Sequence, residues 1–255
     1  MSIAEKLQTI AENEQRVYDA GYAKGQAEGG DTTAAYDEGF EAGKKAEYDA
    51  FWDEYQQNGN RTNYIFGFAG ICWNVSTLKP KYDLKIARAD YMFASTVGLV
   101  GVDLTNHFEK CGIAFDTSNC TNFNTFLRYE SPLRIPTLDT RKTDNLNSTF
   151  VNCSVKIVDK IILRNDGSQI LTNIFAYSNA YLEEVIFEGV IGCNLSMNVS
   201  EVLSKASITS IINALSTTTS GLTVTLYKTA VDNAFTAEEW AALIATRTDW
   251  TISLV

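Results

Sequence analysis

The chain has 255 residues, 45% of them hydrophobic, which is enough for one sizeable core or two small ones. Its formal net charge is −10, and residues 1–56 hold 13 Asp and Glu against 5 Lys and Arg, so the acidity sits at the N-terminal end and argues against nucleic-acid binding there. No apolar run is long enough to cross a bilayer, so no membrane insertion is expected. The start, Met1-Ser-Ile-Ala-Glu-Lys, lacks the basic and apolar segments of a signal peptide.

The first 56 residues are predicted to be helical, as helices 2–28 and 33–56. Ile3, Leu7, Ile10, Glu14 and Val17 are spaced four, three, four, three, a short heptad seam with one polar interruption. The stretch YDAGYAKGQAE then returns eighteen positions later as YDEGFEAGKKAE. Eighteen residues make about five helical turns, so Gly21, Gly25, Gly39 and Gly43 share a face of a continuous helix, flanked by Tyr18, Tyr22, Tyr36 and Phe40. A glycine groove beside an aromatic ridge fits a copy of itself, and the close approach offsets the roughly 1 kcal/mol that each interior Gly costs. Gly29-Gly30-Asp31 reads as a helix stop and a new start, which leaves open whether the helices run on or fold back. This acidic segment is expected to oligomerise, as a homotrimer, through these residues. Residues 57–60 read as a linker.

From residue 61 charges thin out. Segments beginning at Phe93, Phe126, Phe150 and Phe175 repeat a pattern: a small or polar loop, then an aliphatic residue near the seventh position (Leu99, Leu133, Ile157, Leu182). Most continue into an alternating strand, with Val102/Leu104, Ile161/Leu163 and Val185/Phe187 inward. Pro132 and Pro136 make a clean strand doubtful in the Phe126 unit. Intervals of 24 and 25 residues suit one strand plus a turn per coil, so residues 61–206 are predicted to form a leucine-rich-type solenoid. Residues 207–255 are expected to cap it. There SITSIINAL reads as a helix with Ser207 as cap, GLTVTLYKTAV as a strand, Thr236-Ala-Glu-Glu239 as a capping box and WTISLV as a final strand. The expected fold class is α+β: a helical coiled-coil-like oligomerisation segment, a degenerate leucine-rich-repeat β-solenoid and a small α/β C-terminal cap.

FAGICWNVSTLKPKYDL (68–84), the Phe150–Cys153 unit and the ending from ITSIINAL to WTISLV resemble leucine-rich-repeat proteins of the BspA type, common in gut Firmicutes and their phages and prophages. The acidic start resembles the helical N-terminus of the phage members. The resemblance implies a virion protein of tail-fibre, baseplate or head-fibre type, whose partners are its own copies, other virion proteins and host-surface polysaccharide or protein. A bacterial cell-surface adhesion module and, less favoured, a polysaccharide depolymerase are the alternatives.

No catalytic constellation is legible. His107 stands alone in LTNHFEKCG, and adjacent Glu183 and Glu184 on a strand would face opposite sides. Asp139 and Asp144 form a pair in name only, and no phosphate loop, calcium loop or metal-ligand spacing occurs. Cys72, Cys111, Cys120, Cys153 and Cys193 are odd in number and widely spaced, which reads as small buried hydrophobes, not a disulfide frame. No enzyme activity, cofactor or metal is expected. The candidate ligand face is polar: Asn119, Asn122, Asn124, Tyr129, Asn145, Asn147, Asn152, Tyr177 and Asn179.

Overall fold

A computed structural model describes residues 80, 82–94, 99–175, 181–198 and 200–255. The chain divides into two units, residues 1–59 and 60–255, and every described residue belongs to the second. The predicted N-terminal helices, their oligomerisation residues and linker 57–60 therefore lie outside the described residues, as do Tyr177 and Asn179.

Twelve strands and four helices alternate through the described residues. In chain order they are β1 (Leu84–Lys85), β2 (Phe93–Ala94), α1 (Leu104–Cys111), β3 (Phe115–Asp116), β4 (Leu127–Arg128), β5 (Arg134–Ile135), β6 (Leu138–Asp139) and β7 (Phe150–Val151). Next come β8 (Ile157–Ile162), β9 (Glu184–Glu188), β10 (Leu195–Met197), α2 (Lys205–Ala214), β11 (Leu222–Leu226), α3 (Lys228–Ala234), α4 (Ala237–Ile244) and β12 (Trp250–Leu254). Strand pairing is parallel in every pair: β1 with β3, β2 with β4 and β4 with β7, β5 and β6 with β8 and β8 with β9, and β10 with β11 and β11 with β12.

The expected β-solenoid is not what forms. Pairing is divided among four separate sheets, and helices are interleaved with parallel strands, so neither one solenoid sheet nor the expected class describes the body. The reason is local. Many of the strands are two residues long, and left-handed residues bound them. Tyr91 (φ 58°), Thr125 (φ 55°) and Ser148 (φ 61°) stand two residues before β2, β4 and β7, and Tyr129 (φ 62°) and Asn152 (φ 50°) directly follow β4 and β7. A left-handed residue turns the chain out of the ladder, so each strand stops after one or two bonds. The β8–β9 pair is longer and shifts register between Val158 and Ile161.

Packing follows the pairing. Phe93, Phe126, Phe150 and Phe175 are each 0–1% exposed and form a continuous column, with ring centres 5.2, 6.0 and 4.9 Å apart. The first two contacts are edge-on and the last is stacked, geometries favoured by the ring quadrupole. Burial of each ring contributes about 1.5–3 kcal/mol. Val185 and Phe187 are buried on β9. Leu104, read as a strand residue, instead opens α1, which Asp103 caps by accepting from the Asn106 N–H at 2.9 Å. Arg134 and Ile135 fit between Pro132 and Pro136 as the two-residue β5.

Helix α2 begins one turn earlier than its apolar spacing indicated. Ser204 is its cap, and Ser207, the cap expected from sequence, is fully buried inside it. Ser207 Oγ accepts from the Val185 N–H at 2.9 Å, and Ser210 Oγ accepts from the Phe187 N–H at 3.2 Å. Two serines of α2 thus stand where another strand would pair with β9, satisfying donors that burial would otherwise leave unmatched.

Past β11 the chain departs from the strand read through Val231. At Tyr227 it enters α3, where Lys228 pairs with Asp232 one turn on and Ala230 and Val231 are buried. The capping box at α4 forms, with Glu239 N donating to Thr236 Oγ1 at 3.2 Å and Thr236 N donating to Glu239 Oε2 at 3.0 Å.

Two glycines are required by contact. A Cβ on Gly192 would lie 2.2 Å from the Gly167 carbonyl oxygen, and one on Gly189 would lie 2.5 Å from the Leu163 carbonyl oxygen. Gly192→Ala should therefore destabilise the body by about 1–3 kcal/mol, because backbone cannot move aside as a side chain can; urea unfolding followed by circular dichroism measures it. Ser207→Ala should cost about 1–3 kcal/mol by leaving the Val185 N–H buried without an acceptor, read from the same midpoints and from faster exchange of the Val185 amide.

Candidate recognition surface

The polar residues of the expected ligand face divide by what their side chains already do. Asn122 Oδ1 accepts from the Asn124 N–H at 2.8 Å, and Asn145 Oδ1 accepts from the Asn147 N–H at 2.9 Å. These are the same turn, repeated 23 residues on. Asp116 and Asp139, also 23 apart, accept from the Ser118 and Arg141 N–H groups at 2.9 and 3.2 Å. Asn147 Oδ1 takes the Asn173 N–H at 3.1 Å, and Asn119 Oδ1 takes Lys142 Nζ at 2.6 Å. Asn is suited to this work because its side chain mimics a backbone carbonyl two residues away. Asn119, Asn122, Asn145 and Asn147 thus use their side-chain oxygens within the protein, and exposed Asn124, before β4, accepts from Thr125 Oγ1 at 3.4 Å.

Tyr129 and Asn152 are set apart from these, on the far side of β4 and β7 along the chain. Both are exposed, and the Tyr129 N–H donates to the Asn152 carbonyl at 3.0 Å. They open the turn that joins the β2–β4–β7 sheet to the sheet of β5, β8 and β9. Successive copies of this turn lie side by side through backbone bonds: Gly101 N to Ser131 O at 2.8 Å, Ser154 N to Glu130 O at 2.9 Å, Glu183 N to Lys156 O at 2.8 Å and Ser204 N to Glu183 O at 2.8 Å.

Of seven exposed large hydrophobic residues among those described, five fall on successive copies of this turn: Val100 (76%), Tyr129 (61%), Leu133 (38%), Tyr181 (61%) and Val202 (53%). Singly exposed apolar residues are ordinary, but such a concentration marks an interaction surface. Sequence reading found only Tyr129 and Asn152 of this corner. Leu133, one of the recurring aliphatic positions, is exposed, and its neighbour Pro132 is buried instead. Tyr181 could have been placed by its distance from the Val185/Phe187 strand.

The charged surface is largely paired. Lys156 meets Glu183 at 3.0 Å, Lys160 meets Glu188 at 2.7 Å, and Arg164 Nη2 meets Asp144 at 2.6 Å. Arg141 lies 2.6 Å from Asp139, and its hydrogen bonds hold the Asp139 carboxyl below the usual carboxylate range. Asp159 accepts from both Arg134 Nε and Thr105 Oγ1, tying α1 to the sheet. Of the carboxylates considered as acid–base candidates, Glu183, Asp139 and Asp144 are thus bound to basic partners. His107 lies on α1 with its ring centre 5.6 Å from that of Phe108.

Among the described residues no three His, Cys, Asp or Glu side chains are placed to hold a metal ion, and no helix is long and apolar enough to cross a membrane. Comparison of the chain with family models, curated proteins and solved structures finds no match.

Burial pushes the Cys120 thiol up to about 11 from an ordinary 9.0. Because its folded value lies above its unfolded value, the stability linked to this group is present below pH 9 and lost as pH rises towards 11. A maleimide reagent at pH 7.5 should leave Cys120 unlabelled in the folded protein and label it in urea, read by mass spectrometry of the Cys120 peptide.

Proposed function

We propose that the protein is a virion structural protein of the tail-fibre, baseplate or head-fibre type, carried on the phage particle. The acidic segment of residues 1–56 joins copies, as a trimer, and the body following it presents a recognition surface to host polysaccharide or protein or to another virion component. The observation that carries the recognition role is the gathering of exposed aromatic and aliphatic residues on successive copies of one turn. The assembly role draws support from the repeated glycine and aromatic spacing, and the virion setting from the sequence likeness to phage-borne BspA-type proteins. A weak contact at each copy gains strength from copy number, since linked sites bind with high effective concentration.

The native mass of the full chain should be that of a trimer, measured by light scattering. Replacing Gly21, Gly25, Gly39 and Gly43 by Leu should reduce it to monomer while the circular dichroism of the body is kept. A full-length chain that is monomeric from the outset removes the assembly role.

A further inference from the structure

Corresponding positions in the recognition turn carry different residues. Directly after β7 the left-handed place is held by Asn152, a residue type that tolerates it. Directly after β4 it is held by Tyr129, for which φ of 62° is an outlier. The ring is nevertheless 61% exposed, so core packing does not explain it. Arg128 lies over that ring at 4.5 Å and donates through Nη2 to the Tyr129 hydroxyl at 2.7 Å, while its Nε is shielded from water without an acceptor. A strained backbone, an exposed aromatic and a cation stacked on it coincide at one place, as they do where a ligand completes the set.

A second tyrosine stands nearby. The register of Arg134 with Ile157 and of Ile157 with Glu184 puts Ser131, Ser154 and Tyr181 at corresponding positions, three residues before their strands. Tyr181 is also 61% exposed. Tyr129 and Tyr181 are two strand spacings apart, roughly 10 Å along the pairing direction, which is comparable to the length of a disaccharide. Small polar side chains, Asn152 and Ser154, lie on the segment between them, and Ser131 stands two residues after Tyr129.

We infer that this strip binds a linear acidic polysaccharide. The two tyrosines stack on sugar faces at either end, the serines and Asn152 meet hydroxyl groups, and Arg128 takes a uronate carboxylate, which a guanidinium matches in charge and shape. A protein partner fits less well, since a protein hot spot fills its centre with large side chains. The inference rests on reading this turn as a recognition surface and adds the chemistry of its ligand.

The test is calorimetric titration of the full chain with hexasaccharides of galacturonate and of hyaluronan, against neutral cellohexaose. An acidic hexasaccharide should bind. Tyr129→Asn, which keeps the backbone conformation as Asn152 does, and Tyr181→Ser should each weaken binding about tenfold. Arg128→Gln should abolish the preference over cellohexaose. Failure of both acidic oligomers to bind, equal binding of cellohexaose, or unchanged affinity in the Tyr129→Asn, Tyr181→Ser double variant overturns the inference. Adsorption of the same protein to host cells despite any of these results would leave the recognition role standing and remove only the acidic glycan.

Discussion

Parallel pairing between segments far apart in the chain is the constraint on which the rest of the body depends. Leu127 meets Phe150 and Arg134 meets Ile157, each 23 residues on, and Ile157 meets Glu184 after 27. A parallel pair cannot be closed by a tight turn, so every strand must wait for the chain to travel out and return. What fills that journey decides the architecture. Where it is a pair of left-handed residues and an Asn or Asp turn, the strand is two residues long. Where it is α1 or α2, the helix lies beside the sheet and supplies Thr105 or Ser207 to it.

The interior holds these segments together through a column of phenylalanines and through polar atoms that are matched inside. Gln169, 1% exposed, shows the second device: its Nε2 donates to the carbonyls of Thr140 and Thr143 at 2.8 and 2.7 Å, and its Oε1 accepts from the Arg164 N–H at 2.6 Å. One side chain thereby joins two neighbouring segments. The serines of α2 do the same for β9. A buried amide with all its partners present rigidifies its surroundings, whereas removing one partner leaves the others costly. These matched groups give a body that holds its outer turns in fixed relative position, which a multi-contact surface needs.

Function sits where that matching stops. The Asn residues before β4 and β7 are largely spent on turns, so the polar face suggested by composition is mostly structural. Directly after β4 the pattern changes: Tyr129 keeps an exposed ring with Arg128 stacked on it, and Tyr181, three residues before β9, is exposed as well. The distinction between a structural Asn and an available Tyr is one of hydrogen-bond partners, and residue type alone does not reveal it.

Local chemistry was readable from the chain. The acidic start, the recurring phenylalanines, the box at Thr236 and Glu239, and the alternation of Val185 and Phe187 each depend on neighbours a few residues away. The division into four sheets was not readable, because left-handed conformations at Tyr91, Thr125, Tyr129 and Ser148 occur in residue types that rarely announce them. Nor was the change of role at Ser207, since a cap and a partner for a distant strand use the same oxygen. Which residues are apolar, which turn and which cap can be read from their near neighbours. Which segments become neighbours emerges in the folded chain, because parallel pairing joins residues whose separation leaves no local mark. That same choice alone brought Tyr129 and Tyr181 onto one edge.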